Sequence, residues 1–128
     1  MRLLLDTHVL VWVLTDSTRV PRELRLRIAD PECVRLVSCA SLLEIATKVR
    51  LGKWPEAEGL EPTLSETLDA AGYTLLPIDP QVALRAGRLP GKHGDPFDRI
   101  IAAHALLEDI QVISVDARLD SFGVRRLW

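Results

Sequence analysis

Aromatic residues are scarce in this chain of 128 residues: three Trp, one Tyr and two Phe, 5% in all. The core must therefore be built from Leu, Val, Ile and Ala. There are only two cysteines, Cys33 and Cys39. Two are too few for a disulfide framework, and their spacing fits no zinc pattern. Both read as reduced thiols. Long hydrophobic runs are missing as well. Val9 to Leu14 falls far short of the ~20 apolar residues that span a bilayer. Asp6 and His8 interrupt the apolar opening and no small-residue cleavage site follows, so no secretory leader is expected. These absences predict a cytoplasmic protein without a membrane partner. Charge of one sign is not in excess either, with a formal net charge of −2. The chain has no nucleophile elbow, no Walker loop and no Gly-rich dinucleotide loop. It has no repeats and no low-complexity segment. What remains is ordinary globular composition, 48% hydrophobic and 27% charged, of a length that predicts one domain over residues 1–128.

The pattern along the chain predicts alternating strands and helices. Arg2 to Leu5 is a short apolar strand ending at Asp6, followed by a helix from about Thr7 to Leu14. Pro21 opens a second helix with Leu24, Leu26 and Ile28 as its apolar positions. Val34 to Val37 is a β-branched strand. Ser41 begins a helix that Gly52 stops. Trp54 to Pro62, with two Pro, a Gly and three Glu, reads as an exposed loop. Thr63 to Ala71 is helical up to Gly72, Tyr73 to Ile78 is a strand, and Pro80 to about Leu89 is a helix. A basic loop, Pro90 to Gly94, leads to a long helix from Pro96 to about Glu108. Gln111 to Val115 is a strand ending at Asp116, and Val124 to Leu127 closes the series. Strands alternating with helices predict a three-layer α/β/α sandwich with a mostly parallel central sheet. In such a sheet the ligand site lies beyond the carboxyl ends of the strands.

Several acids fall at that edge, and each has a local explanation. Asp6 follows a strand and can cap the next helix. Ser41 and Glu44 have the spacing of a capping box. Asp95, Pro96, Phe97 and Asp98 form a good helix start. Asp116 can cap a helical turn. Asp79 ends a strand before Pro80 and looks like the others, so a strand-end acid alone identifies nothing. The joint pattern is stronger. Asp6 and Asp116 end strands, and Glu44 and Asp98 are placed in first turns of helices on the same edge. Carboxylates converging there repel unless a cation is present, and hard divalent ions prefer oxygen ligands. Such a centre suits phosphodiester hydrolysis, because a metal ion activates water and stabilises charge on phosphate without a Ser, Cys or His nucleophile. The five acids carry −5 of the net −2, so the rest of the chain stands at +3; global charge neither excludes nor indicates RNA.

Four segments, in order along nearly the whole chain, carry a family resemblance. They are Leu3-Leu-Leu-Asp-Thr-His, Ser41-Leu-Leu-Glu-Ile-Ala-Thr-Lys, His93-Gly-Asp-Pro-Phe-Asp-Arg-Ile-Ile-Ala-Ala-His-Ala and Val112-Ile-Ser-Val-Asp. Together they resemble PIN domains, and most closely the VapC-type ribonuclease toxins of type II toxin–antitoxin pairs. The resemblance implies a PIN-like fold and an endoribonuclease dependent on Mg²⁺ or Mn²⁺. It implies Asp6, Glu44, Asp98 and Asp116 as catalytic metal ligands, with Asp95 assisting. It gives Asp79 no role, since its strand lies at a sheet edge. It further implies a cognate antitoxin that masks the site, and a homodimer.

Among the cations near these motifs, Lys48 and Arg99 are candidate contacts to RNA phosphates. Arg50, Lys53, Arg85, Arg88 and Lys92 read as solvated helix faces and loop. His93 is a candidate substrate contact, and His104, among apolar neighbours, reads as packing. Trp12 reads as core or partner interface rather than a base-stacking platform, and Trp54 as a loop anchor, with base stacking as the alternative. Two other functions fit parts of the pattern. A non-catalytic PIN-like binding module would not need intact acids. A phosphoacceptor signalling domain would need paired acids after the first strand and a lysine after a late one. Here Thr7 and His8 follow Asp6, and Ala117 and Arg118 follow Asp116.

Overall fold

The computed structural model describes residues 1–128. Five short strands form one sheet: β1 (Arg2–Leu5), β2 (Val34–Ser38), β3 (Thr74–Leu76), β4 (Gln111–Ile113) and β5 (Arg126–Leu127). Their order is β3-β2-β1-β4-β5, and every pair is parallel. The helices are α1 (Thr7–Leu14), α2 (Arg22–Ala29), α3 (Cys39–Arg50), α4 (Leu64–Ala70), α5 (Pro80–Arg88) and α6 (Pro96–Glu108).

Side chains alternate across a strand, so β1 feeds both faces of the sheet. Leu3 and Leu5 pack with Val9, Leu10, Ile28, Ile45 and Leu68 from α1 to α4. Leu4 packs with Leu36, Ile101, Ala102 and Val112 on the opposite face, under α6. This is the three-layer sandwich that the sequence predicts, and the sheet is wholly parallel. The strand order moves outward from β1 through β2 to β3, then returns to the other side with β4 and β5. The switch point therefore lies between β1 and β4 at their carboxyl ends, where ligands bind in open α/β sheets. Asp6 sits there, its N–H donating to the Ile113 carbonyl at 3.1 Å. The order also differs from the 2-1-3-4-5 order of receiver-type domains, which removes the phosphoacceptor reading.

Three local expectations are corrected. α3 begins at Cys39, because Ser38 ends β2 in an extended conformation and accepts the Ala40 N–H at 3.1 Å. Ser41 is therefore inside the helix, buried, and accepts a bond from the Thr7 hydroxyl at 2.9 Å. Glu44 lies in the second turn and belongs to no capping box. In α2, Leu24 and Ile28 are buried but Leu26 is exposed, since residues four apart share a helix face and a residue between them does not. The stretch after Gly52 is two 3₁₀ turns, Pro55–Ala57 and Glu61–Thr63, pinned by buried Trp54 and Ala57. The anchor role expected of Trp54 is what the structure gives it.

Gly72 closes α4 with φ +79°. Its N–H donates to the Asp69 carbonyl and the Tyr73 N–H to the Leu68 carbonyl, the paired bonds of a Schellman motif. A Cβ at Gly72 would approach the Arg35 Nη2 to 3.2 Å, whereas one at Gly59 meets open space at ordinary φ. Gly72→Ala is expected to cost about 1 kcal/mol or more, and Gly59→Ala to be neutral or stabilising, both read by urea unfolding. Equal midpoints for the two variants would contradict this account of the turn.

Candidate functional site

The carboxyl edge of the sheet holds a cleft of about 340 Å³, lined among others by Asp6, Glu44, Asp95, Asp98 and Asp116. Asp6 follows β1 and caps α1, its Oδ1 accepting the Val9 N–H at 3.0 Å. The capping explanation is therefore true, and the residue still faces the cleft. Asp95 caps α6 by accepting the Phe97 and Asp98 N–H groups on one oxygen, at 2.8 and 3.3 Å. That leaves its other oxygen without a capping bond. Asp116 accepts the Arg118 N–H at 3.0 Å and is forked by the Arg118 guanidinium, whose Nη2 lies 2.7 Å from Oδ2. Asp79 caps α5 through the Val82 N–H, but β3 is an edge strand, and Asp79 does not line the cleft.

The electrostatics of the cleft are unbalanced. Burial pushes the Asp6 carboxyl above the ordinary carboxylate range, opposed in part by the Val9 N–H, and the Asp98 charge adds to the rise. Burial also raises Asp98, with Asp95 and Glu44 adding repulsion and the His93 bond resisting it. Asp116 goes the other way, held down chiefly by Arg118. Glu44 is almost fully buried. Its Oε2 meets the Lys48 Nζ at 2.5 Å across one helical turn, but its Oε1 is buried with no partner. A buried acceptor without a donor costs about 1–3 kcal/mol, and more on a charged group.

His93 reaches the Asp98 Oδ2 at 2.8 Å, and ligand atoms of His93, Asp98 and Asp116 lie within 4.8 Å of one another. Arg99 was a candidate phosphate contact, but its guanidinium is engaged elsewhere. It donates to the His93 carbonyl at 3.1 Å and to the Leu89 carbonyl, and lies over the Phe122 ring. It braces the loop that carries His93 and does not line the cleft. His104 is buried packing, as expected, and also tethers α6. Its Nε2 donates to the Pro77 carbonyl at 3.0 Å, which leaves Nδ1 to accept from the Ser38 hydroxyl in the neutral tautomer. Five further residues line the cleft, Lys48 and Val115 together with His8, Trp12 and Arg118. His8 and Trp12 are four apart on α1, so helical spacing from Asp6 carried that signal. For Arg118, nothing in the sequence marks its fork onto Asp116.

The sequence matches the PIN domain family over residues 3–124. The chain belongs to the PIN domain family. Several solved structures share the fold at low identity. VapBC2 from Rickettsia felis, bound to a DNA fragment from its promoter, has a TM-score of 0.70 at 16% identity, covering 99% of this chain and 98% of its own. FitAcB from Neisseria gonorrhoeae has a TM-score of 0.68 at 24% identity, covering 98% and 96%. A toxin–antitoxin complex from Klebsiella pneumoniae has a TM-score of 0.58 at 18% identity, covering 90% and 87%. No curated protein matches this PIN domain. No helix in it is long and apolar enough to cross a membrane.

The raised Asp6 carboxyl has a consequence for stability. A carboxyl whose folded pKa is raised favours folding at pH below its unfolded value, and that contribution is lost as pH rises through the folded value. Asp6→Asn keeps the capping oxygen and removes the charge. It is expected to raise the melting temperature of the metal-free protein near neutral pH, with the gain vanishing in acid. A lower melting temperature for Asp6→Asn at neutral pH would contradict it.

Proposed function

We propose that this PIN domain is a divalent-cation-dependent endoribonuclease, acting as the toxin of a type II toxin–antitoxin pair. The observation that carries the proposal is the unpartnered Glu44 Oε1, buried beside Asp6, Asp98 and Asp116 in one cleft. An all-oxygen donor set with one orphaned carboxylate oxygen fits a hard cation such as Mg²⁺ or Mn²⁺. Asp6, Glu44, Asp98 and Asp116 would hold it, with Asp95 assisting from the start of α6. When bound, such an ion lowers the pKa of water and neutralises charge on a phosphate and its leaving oxygen.

The rest of the chemistry falls to the chain itself. Lys48 and Arg118, both at the cleft, supply positive charge to RNA phosphates on either side of the cut. His93 holds the Asp98 carboxylate by its Nε2 and is itself fixed by stacking on Phe122, ring centroids 5.8 Å apart. Arg99 acts through His93, by clamping its loop. Hydrolysis then needs only water as the nucleophile, which agrees with the lack of a nucleophile elbow. Structures of toxin–antitoxin complexes among the similar folds support a protein antitoxin as partner, and a homodimer belongs to the same reading. A non-catalytic binding module has no use for a buried, unpartnered glutamate.

Asp98→Asn is expected to lower RNA cleavage at least about a hundredfold while the far-ultraviolet dichroism stays native. Excess EDTA should abolish cleavage and Mn²⁺ restore it. Cleavage that survives either the substitution or the chelator would refute the proposal.

A further inference from the structure

The chain has three Trp residues, linked by ring contacts through His8, and Trp12 among them lines the acidic cleft. The rings of Trp54 and His8 are 4.7 Å apart, those of His8 and Trp12 are 6.0 Å apart, and those of Trp12 and Trp128 are 6.0 Å apart. Trp54 is buried and serves as the footing. His8 is exposed, Trp12 is half-buried, and Trp128 is 39% exposed. His8 and Trp12 line the cleft beside the acids. Trp128 follows β5, whose carboxyl end lies on the same edge of the parallel sheet as Asp6. Two cations flank the row, each also held by an acid: Lys48, paired with Glu44, sits 5.4 Å from the Trp54 ring centre, and Arg19, paired with Glu56, 5.6 Å from that of Trp12.

Packing accounts for part of this row, since Trp54 belongs to the core and Trp12 packs against it. It does not account for His8 or Trp128, which are exposed and lie outside that core. Aromatic faces beside positive charges are how proteins hold single-stranded nucleic acid, by stacking each base and tracking its phosphate. A base paired in a duplex has no free face to offer, so the ligand must present an unpaired nucleotide.

We infer that His8, Trp12 and Trp128 form a stacking shelf that positions an unpaired RNA base beside the scissile phosphate. The inference rests on the nuclease reading above and assigns these three side chains to the base. The shelf residues are positioning residues: they hold a base and leave the acids to act on the phosphate.

The test measures binding of a fluorescein-labelled single-stranded RNA by anisotropy in the cleavage-deficient Asp98→Asn background. Trp128→Ala is expected to weaken binding between about fivefold and about a hundredfold, and Trp128→Phe to recover most of it. An RNA with an abasic ribose beside the mapped cut should bind the Trp128 protein with a similar loss, and should cost the Ala variant little more, because both changes remove one contact. A structural role for Trp128 would not produce that non-additivity. Unchanged affinity in Trp128→Ala, or penalties that simply multiply, would overturn the shelf. Cleavage by the wild-type protein is read separately. Base-dependent binding without cleavage would uphold the shelf and refute the nuclease.

Discussion

Mutual repulsion among carboxylates is the constraint on which the rest of this molecule turns. Asp6, Glu44, Asp98 and Asp116 converge on one cleft with Asp95 beside them, and the resident positive charge, Lys48 on Glu44 and Arg118 on Asp116, is too little to balance them. The imbalance registers in the raised Asp6 and Asp98 carboxyls and in the unpartnered oxygen of Glu44. A fold selected for stability alone would not keep such an arrangement, because neutral residues of the same shape relieve it. The unbalanced charge is the physical argument for a cation at this edge.

The sheet makes the crowding possible. Wholly parallel strands put every strand end on one edge, and the reversal of strand order between β1 and β4 opens a crevice there. Alternation along β1 buries both faces of the strand, so Asp6 emerges from a rigid element. Glu44 is held by a helix whose end is fixed at Gly52 by the same paired bonds seen at Gly72. Around this frame the secondary contacts are directional. Arg99 holds the His93 loop, His93 holds Asp98, and Ser38 with His104 ties α6 to the ends of β2 and β3.

Much of this was legible in the sequence. Strands buried on both faces read as apolar runs, and Gly and Pro punctuation placed most helix ends. The acids were legible only jointly. Asp79 and Asp116 look alike locally, both capping the element that follows, and only strand order separates the edge residue from the site residue. The start of α3 was misread because Ser38 and Ser41 are both competent caps, and which one serves depends on where β2 ends. Arg99 reads as a candidate phosphate contact because charge and proximity in sequence do not reveal that the His93 and Leu89 carbonyls take its donors. The grouping of the aromatic residues is not legible in the sequence for a similar reason: Trp54 and Trp128 are far apart in the chain, and only folding brings both to α1.

The central claim is that these acids form one cation site. Diffraction from crystals soaked in Mn²⁺, recorded at a wavelength where manganese scatters anomalously, tests it most directly. The account predicts an anomalous peak enclosed by Asp6, Glu44, Asp98 and Asp116, lost in crystals of Asp98→Asn. A cleft without a peak, or a peak that ignores Glu44 and Asp6, would contradict it.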